Sequence, residues 1–164
     1  KKFEKELIKL KTFNRRKDKM DWHDGFGLNF KITDMQSALG ISQFSTLLKR
    51  IESKRRIHSL FRKVNSEFFK IGSFLEHEVP WFIDLVSTTK KDLNRLKKLL
   101  SKNNIETRVS YPALSKQKYL RDVSMQDLSY SEKIHEKILW LPSSVDLDEK
   151  SISKIIRVIN KYES

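Results

Sequence analysis

From Thr33 to Lys70 the chain runs without a proline, and apolar or aromatic residues recur at helical spacing from Met35 and Leu39 through Leu48 and Ile51 to Phe61, Val64 and Phe68. This stretch constrains the fold more than any other, because it predicts a helix of about ten turns, longer than a small domain uses. A helix of that reach spans two bodies. Its start is explicit: Thr33 and Gln36 have capping-box spacing, in which the hydroxyl accepts from a first-turn amide and the glutamine side chain returns to the threonine backbone. Asp34 sets a carboxylate at the positive end, and Gly72 supplies a stop. Gly40 omits a side chain early in the helix, which costs about 1 kcal/mol against alanine and permits close packing.

The flanks differ. Residues 3–13 form a short amphipathic helix with Phe3, Leu7, Leu10 and Phe13 on one stripe, and a polar, glycine-punctuated loop, NRRKDKMDWHDGFG, follows. From Pro80 the periods change. WFIDLVST is a predicted strand; KKDLNRLKKLLSKNN is a helix with Leu93, Leu96, Leu99 and Leu100 on one face; IETRVSY is a second strand. SYSEKIHEK is a short helix leading into the strand ILWLP, and the last helix turns Ile152, Ile155, Ile156 and Ile159 inward. The fold class is therefore α+β: a long connecting helix plus a small C-terminal β-α-β-α-β-α domain with helices on one face of its sheet. The expected division is 1–32, a trailing helix and loop; 33–72, the connecting helix; and 80–164, the small domain.

Composition excludes several classes. The 164 residues contain no cysteine, so disulfides and thiolate metal sites are out, which favours an intracellular, cytoplasmic setting. No apolar run approaches the ~20 residues of a membrane span, and the charged start lacks the apolar stretch of a signal peptide. The net charge of +13 concentrates in residues 1–19, 49–70 and 90–102. A basic surface raises the question of a polyanionic partner, although charge runs on helices are commonly solvated faces.

Motifs for chemistry are sparse. The four histidines, His23, His58, His77 and His135, lack metal-ligand spacing, and His23–Asp24 are loop neighbours that rarely aim at one ion. With four glycines in all, a backbone-lined phosphate cradle is not expected. Glu76 and Glu78 carry no mark of an acid–base pair. Trp81, Phe82 and Trp140 fall in predicted strands without a basic–aromatic nucleic-acid pattern around them, so core packing is expected.

One stretch carries more. GFGLNFKITDMQSALGISQFSTLLKRIESKRRI resembles the hallmark segment of the DegT/DnrJ/EryC1/StrS family of pyridoxal-phosphate-dependent sugar aminotransferases, through Gly27, Asn29, Phe30, Lys31, Asp34, Gln36, Ala38, Gly40, Gln43 and the run Lys54–Arg55–Arg56. IETRVSYPALSKQKYL is similar to the family's late strand and loop, and the C-terminal stretch from Ser131 to its closing helix. The likeness is collinear over about residues 3–162.

The resemblance implies the small domain and connecting helix of a fold-type I transferase, with 1–32 trailing from its large domain. It implies pyridoxal 5'-phosphate in the intact enzyme, a nucleotide-linked keto-sugar substrate with glutamate as amino donor, and a homodimer formed through the long helix and loop 23–31. By the same resemblance Asn29 hydrogen-bonds the cofactor phosphate of the neighbouring subunit, and Lys31, Arg108, Tyr111 and Ser115 line the substrate site. No catalytic residue and no metal ligand falls in this chain, because the family's Schiff-base lysine lies upstream of Lys1. The chain then reads as a C-terminal fragment, inactive and cofactor-free by itself. Two departures bear on the substrate: Lys31 stands where an arginine is usual, keeping charge but losing bidentate geometry, and Ser115 and Ser110 stand near positions where histidines are found. The alternatives are a basic nucleic-acid-binding module and a noncatalytic interaction domain.

Overall fold

A computed structural model of the chain describes residues 2–15, 18, 25, 27–113, 115 and 127–162. Two compact units divide the chain, Lys1–Leu47 and Leu48–Ser164.

In the first unit, helix α1 (Lys2–Lys11) ends where Phe13 and Asn14 take positive φ angles of 61° and 51°. Such angles are uncommon outside glycine, although asparagine tolerates them. The reversal lets the chain after α1 pair with residues 28–30: Leu28 N–H donates to Leu10 O (2.7 Å), Phe13 N–H to Leu28 O (3.1 Å) and Phe30 N–H to Lys11 O (3.0 Å). An isolated antiparallel bridge joins Thr12 and Asn29. Gly27 is required there. A Cβ at that position would lie 2.3 Å from the Phe13 carbonyl carbon and 2.4 Å from the Asn14 nitrogen, both backbone atoms.

Helix α2 (Asp34–Phe44) begins as expected, with both arms of the Thr33–Gln36 capping box formed. The predicted ten-turn helix is, however, two helices and a strand. It is interrupted at Ser45–Thr46, where the Ser45 hydroxyl donates to Ser42 O and the Thr46 hydroxyl to Gln43 O. These local bonds compete with the helical ladder. Helix α3 (Leu47–Phe61) then stops nine residues short of Lys70. Asn65 N–H turns to the Asn160 side chain, and Phe68 N–H to the Ser66 hydroxyl. Phe69–Ile71 become strand β1. The spacing of Val64 and Phe68 suits a helix, but Phe69 is buried and Lys70 exposed, the alternation of a strand.

The second unit carries the core. Its sheet has the order β1–β2–β4–β3, with β2 Ile83–Ser87, β3 Arg108–Val109 and β4 Ile138–Leu141, and every neighbouring pair is antiparallel. Helix α4 (Lys90–Lys102) follows β2, α5 (Ser129–Ile134) precedes β4 through a 3-10 turn, and α6 (Glu149–Asn160) closes the unit. Ile83, Leu85, Leu139 and Leu141 meet Leu93, Leu96 and Leu100 of α4, Ile152, Ile155 and Ile159 of α6, and Ile57 and Phe61 of α3 in one buried cluster. Leu99 and Ile156 pack at its edge, so both predicted helix faces point inward. Thr89 caps α4, its hydroxyl accepting from Asp92 N–H, while the Tyr162 hydroxyl donates to the Asp92 carboxylate (2.8 Å) and ties the chain's end to that cap. The Thr89 hydroxyl also donates to the Asp92 carboxylate, and this bond first, then that from Tyr162, hold the Asp92 carboxyl below its ordinary range.

Candidate functional site

Asn29 and Lys31 belong to the first unit; Arg108, Tyr111 and Ser115 belong to the second. Asn29 is exposed, its backbone fixed by the bridge to Thr12, and its side-chain amide hydrogen-bonds to none of the described residues. Lys31 is exposed, with its ammonium 5.3 Å from the centre of the Phe13 ring. A fixed, unpartnered amide beside a cation held over an aromatic face offers N–H donors to an anion.

None of the described residues of this unit is buried. Along α2, Met35, Leu39, Ile41 and Phe44 are between 62% and 83% exposed, and nothing lies within 4 Å of where a Gly40 Cβ would be. These side chains leave an apolar surface on the first unit.

In the second unit the strand register brings Arg108 opposite Trp140, and Trp140 opposite Asp84 on its other side. Asp84 and Trp140 alternate with the core residues of β2 and β4, whereas both residues of β3 are exposed. Trp140 is buried, yet it stands outside the hydrophobic cluster, on the sheet face turned away from it. The rings continue as a stack: Trp81 on Phe82 (5.1 Å between centres, 14° apart) and Phe82 on Trp140 (4.0 Å, 7°), with Tyr111 edge-on to Trp140 at 4.9 Å. The Arg108 guanidinium lies over Tyr111 at 4.9 Å and Trp140 at 5.7 Å. Core packing, expected for these aromatics, holds in part: Trp140 is buried, although outside the main cluster, Phe82 is half-buried and Trp81 is 76% exposed. The sequence shows the residues but not the cross-strand register that stacks them. Phe82, Glu106, Arg108, Trp140 and Ser143 are among the residues lining a cavity of about 360 Å³ at this end of the sheet.

Burial raises the Asp84 carboxyl above its ordinary range, against the opposing effects of the hydrogen bond from Trp140 and the nearby His58. His58 Nε2 lies 2.8 Å from Gly72 O. Ser115 is otherwise engaged: its hydroxyl donates to the Glu132 carboxylate of α5, and Ser110 donates to His135 O. His23, Asp24 and most of the loop following Ala113 lie outside the described residues.

The basic run of α3 serves the fold. Lys54 donates to the carbonyls of Trp81 and Ser143, Arg55 to Glu76 O, and Arg56 pairs with Glu149 at 3.1 Å. Burial lowers the Lys54 ammonium below its ordinary range. Side chains committed to their own unit are poor counterions for a nucleic-acid backbone. Among the described residues no group of metal-ligating side chains occurs, and no helix is long and apolar enough to cross a membrane.

The chain is similar to several known proteins. The GDP-perosamine synthase of Escherichia coli O157:H7 is 27% identical over 151 residues, covering 87% of this chain and 40% of that protein. The dTDP-4-amino-4,6-dideoxy-D-glucose transaminase of Escherichia coli is 27% identical over 145 residues, covering 81% of this chain and 38% of that protein. The chain thus spans about two-fifths of the length of these relatives. The fold matches that of Helicobacter pylori PseC, an aminotransferase involved in the biosynthesis of pseudoaminic acid, with a TM-score of 0.76 and 16% identity over 98% of this chain and 46% of PseC. The sequence pattern of the DegT/DnrJ/EryC1/StrS aminotransferase family extends over residues 2–160, and the chain belongs to that family.

Proposed function

We propose that this chain forms the C-terminal part of a pyridoxal-phosphate-dependent aminotransferase that acts on a nucleotide-linked keto-sugar in amino-sugar biosynthesis, working as a homodimer. The observation that carries the reading is the family match across residues 2–160, and the exposed Asn29 fits it.

The residues present suit the cofactor's phosphate. Asn29 offers an uncharged donor on a pinned backbone, with Lys31 two residues away, and no described side chain occupies its amide. When bound, pyridoxal phosphate supplies the carbonyl carbon and electron sink through which an amino group passes. Asn29 would hold the phosphate of the neighbouring subunit's cofactor, and Lys31 would add positive charge near the substrate. Arg108 and Tyr111 would form part of the substrate wall. Uncovered α2 and the turn at Gly27 would meet the partner subunit.

The lysine that takes the cofactor stands outside these 164 residues in this reading. Such a lysine must be desolvated, and no described lysine is buried; the half-buried Lys54 already donates to two carbonyls. The test is to incubate the chain with pyridoxal phosphate, reduce with borohydride and map the peptides. Scattered substoichiometric labelling and no turnover are expected. A single saturable lysine with turnover would overturn the assignment of catalysis to residues elsewhere. In the intact enzyme of this reading Asn29→Ala should weaken cofactor retention at least tenfold, and unchanged retention would remove Asn29 from the phosphate site.

A further inference from the structure

Helix α4 has two unlike faces. Leu93, Leu96 and Leu100 are buried, and its one carboxylate, Asp92, is turned in to Thr89 and Tyr162. Asn94, Lys97, Lys98, Ser101 and Lys102 follow the three- and four-residue steps of one outward stripe, and all are exposed. Two other cations of the helix are engaged: Lys90 pairs with Glu136 at 3.0 Å, and Arg95 donates to the Tyr162 hydroxyl. Lys97, Lys98 and Lys102 form no ion pair with a described residue. They differ in this from Lys54, Arg55 and Arg56 of α3, which are engaged by their own unit. Helix α6 packs with α4 into the same core, and the Lys154 ammonium donates to Asn103 O (3.1 Å) at the end of α4. The carboxylate of α6, Glu149, is taken by Arg56, while Lys150, Arg157 and Lys161 are exposed. The helical face of the second unit therefore carries cations for which neither helix keeps a free carboxylate. Such charges repel one another, and a negative surface relieves the repulsion.

The shape and chemistry of this face select among polyanions. Neither α4 nor α6 contains an aromatic residue, so the face has no platform on which single-stranded bases stack. A major groove about 12 Å wide admits one helix, not two packed in a layer. The unpaired cations of α4 are lysines, point charges without the planar fork that reads a phosphate bidentately. No exposed residue of either helix is apolar, so nothing on the face inserts into hydrocarbon. A layer of lysines without wedge or ring fits a plane of anionic headgroups, which attracts each cation within a Debye length of about 10 Å. We propose that the outer face of α4, continued by α6, docks the protein on an anionic lipid bilayer by charge alone, with Lys97, Lys98 and Lys102 at its centre. The aromatic stack of Phe82 and Trp140 lies on the other face of the sheet and stays turned away from the bilayer. The proposal does not depend on the aminotransferase reading.

The experiment is co-sedimentation of the 164-residue chain with vesicles of phosphatidylcholine, with and without phosphatidylserine as one-third of the lipid. The chain should bind the mixed vesicles at least tenfold more tightly than the neutral ones, and raising salt from about 0.05 M to about 0.5 M should release it. The triple variant Lys97→Gln, Lys98→Gln, Lys102→Gln should lose at least tenfold in vesicle affinity with its far-UV circular dichroism unchanged. A control removes the same charge from exposed positions of α1, through Lys2→Gln, Lys5→Gln and Lys11→Gln, and should bind as the wild type does. On the mixed vesicles an amine-reactive label should be slowed at Lys97, Lys98 and Lys102 and not at Lys2 or Lys5. Equal losses in the two triple variants would show attraction by net charge and overturn the assignment to this face. A folded chain that stays in the supernatant with the mixed vesicles overturns the proposal. Tighter retention by a DNA duplex than by the mixed vesicles at the same salt overturns the choice of a bilayer as partner.

Discussion

The ammonium of Lys54 donates to the carbonyl of Ser143 at 2.5 Å, joining α3 to the loop after β4 across 89 residues of sequence, and also reaches Trp81 O at 2.9 Å. One cation therefore holds the helix to two backbone segments beside the aromatic stack. Lys54→Met keeps most of the stem and removes the donor. Two carbonyls then rely on water, and the expected loss is about 1–2 kcal/mol. Urea unfolding followed by tryptophan emission measures it; an unchanged midpoint would show that the clamp contributes nothing to stability.

Asp84 provides a pH test. Burial raises its carboxyl above the ordinary 3.8, so the folded chain holds that proton more tightly than the unfolded chain. The resulting stability is full below the ordinary value and is lost as pH rises through the raised one. Asp84→Asn does not titrate, and its amide oxygen can still accept from the Trp140 indole. The variant should melt above the wild-type protein at pH 7, and its advantage should shrink as the pH falls towards 4. An advantage that is flat with pH would contradict the burial argument.

At Gly27 the prediction concerns one turn. A methyl group there meets backbone atoms of Phe13 and Asn14 that cannot swing aside. Gly27→Ala should open the pairing of residues 10–13 with 28–30 and speed hydrogen exchange at Leu28 and Phe30 at least tenfold. Amides of the second unit's core should keep their protection. Equal protection at Leu28 in the variant would mean that the turn tolerates a Cβ.

If uncovered α2 is the dimer surface, charges on it should separate the subunits. Ile41 and Phe44 are 74% and 75% exposed, so replacing both with aspartate disturbs little packing within the first unit. Sedimentation should show wild-type association weakened at least tenfold in the double variant, with the melting of the second unit unchanged. Association that ignores these charges would place the interface elsewhere.

Much of the second unit was legible as pattern. The leucines of α4 and isoleucines of α6 announce buried stripes because a helix repeats its faces every 3.6 residues, and those stripes do form the core. The capping box at Thr33 and Gln36 was equally local and equally clear. Strand β1 was not legible, since three residues give no period, and Phe69 finds its place only by lying opposite Ser87 of β2. The stack of Trp81, Phe82 and Trp140 depends on register between β2 and β4, segments more than fifty residues apart in the chain.

The sequence by itself determined the family, the inward faces of α4 and α6, the start of α2 and the presence of Asn29 at a glycine-led turn, because each is written in neighbouring residues or in a collinear motif. Only the tertiary structure decided that the long apolar run breaks into α2, α3 and β1, that Lys54, Arg55 and Arg56 of α3 are engaged by their own unit, and that Arg108 stands over Tyr111 and Trp140. Those outcomes turn on which distant carbonyls, carboxylates and ring faces come within reach, and a linear pattern holds no information about that competition.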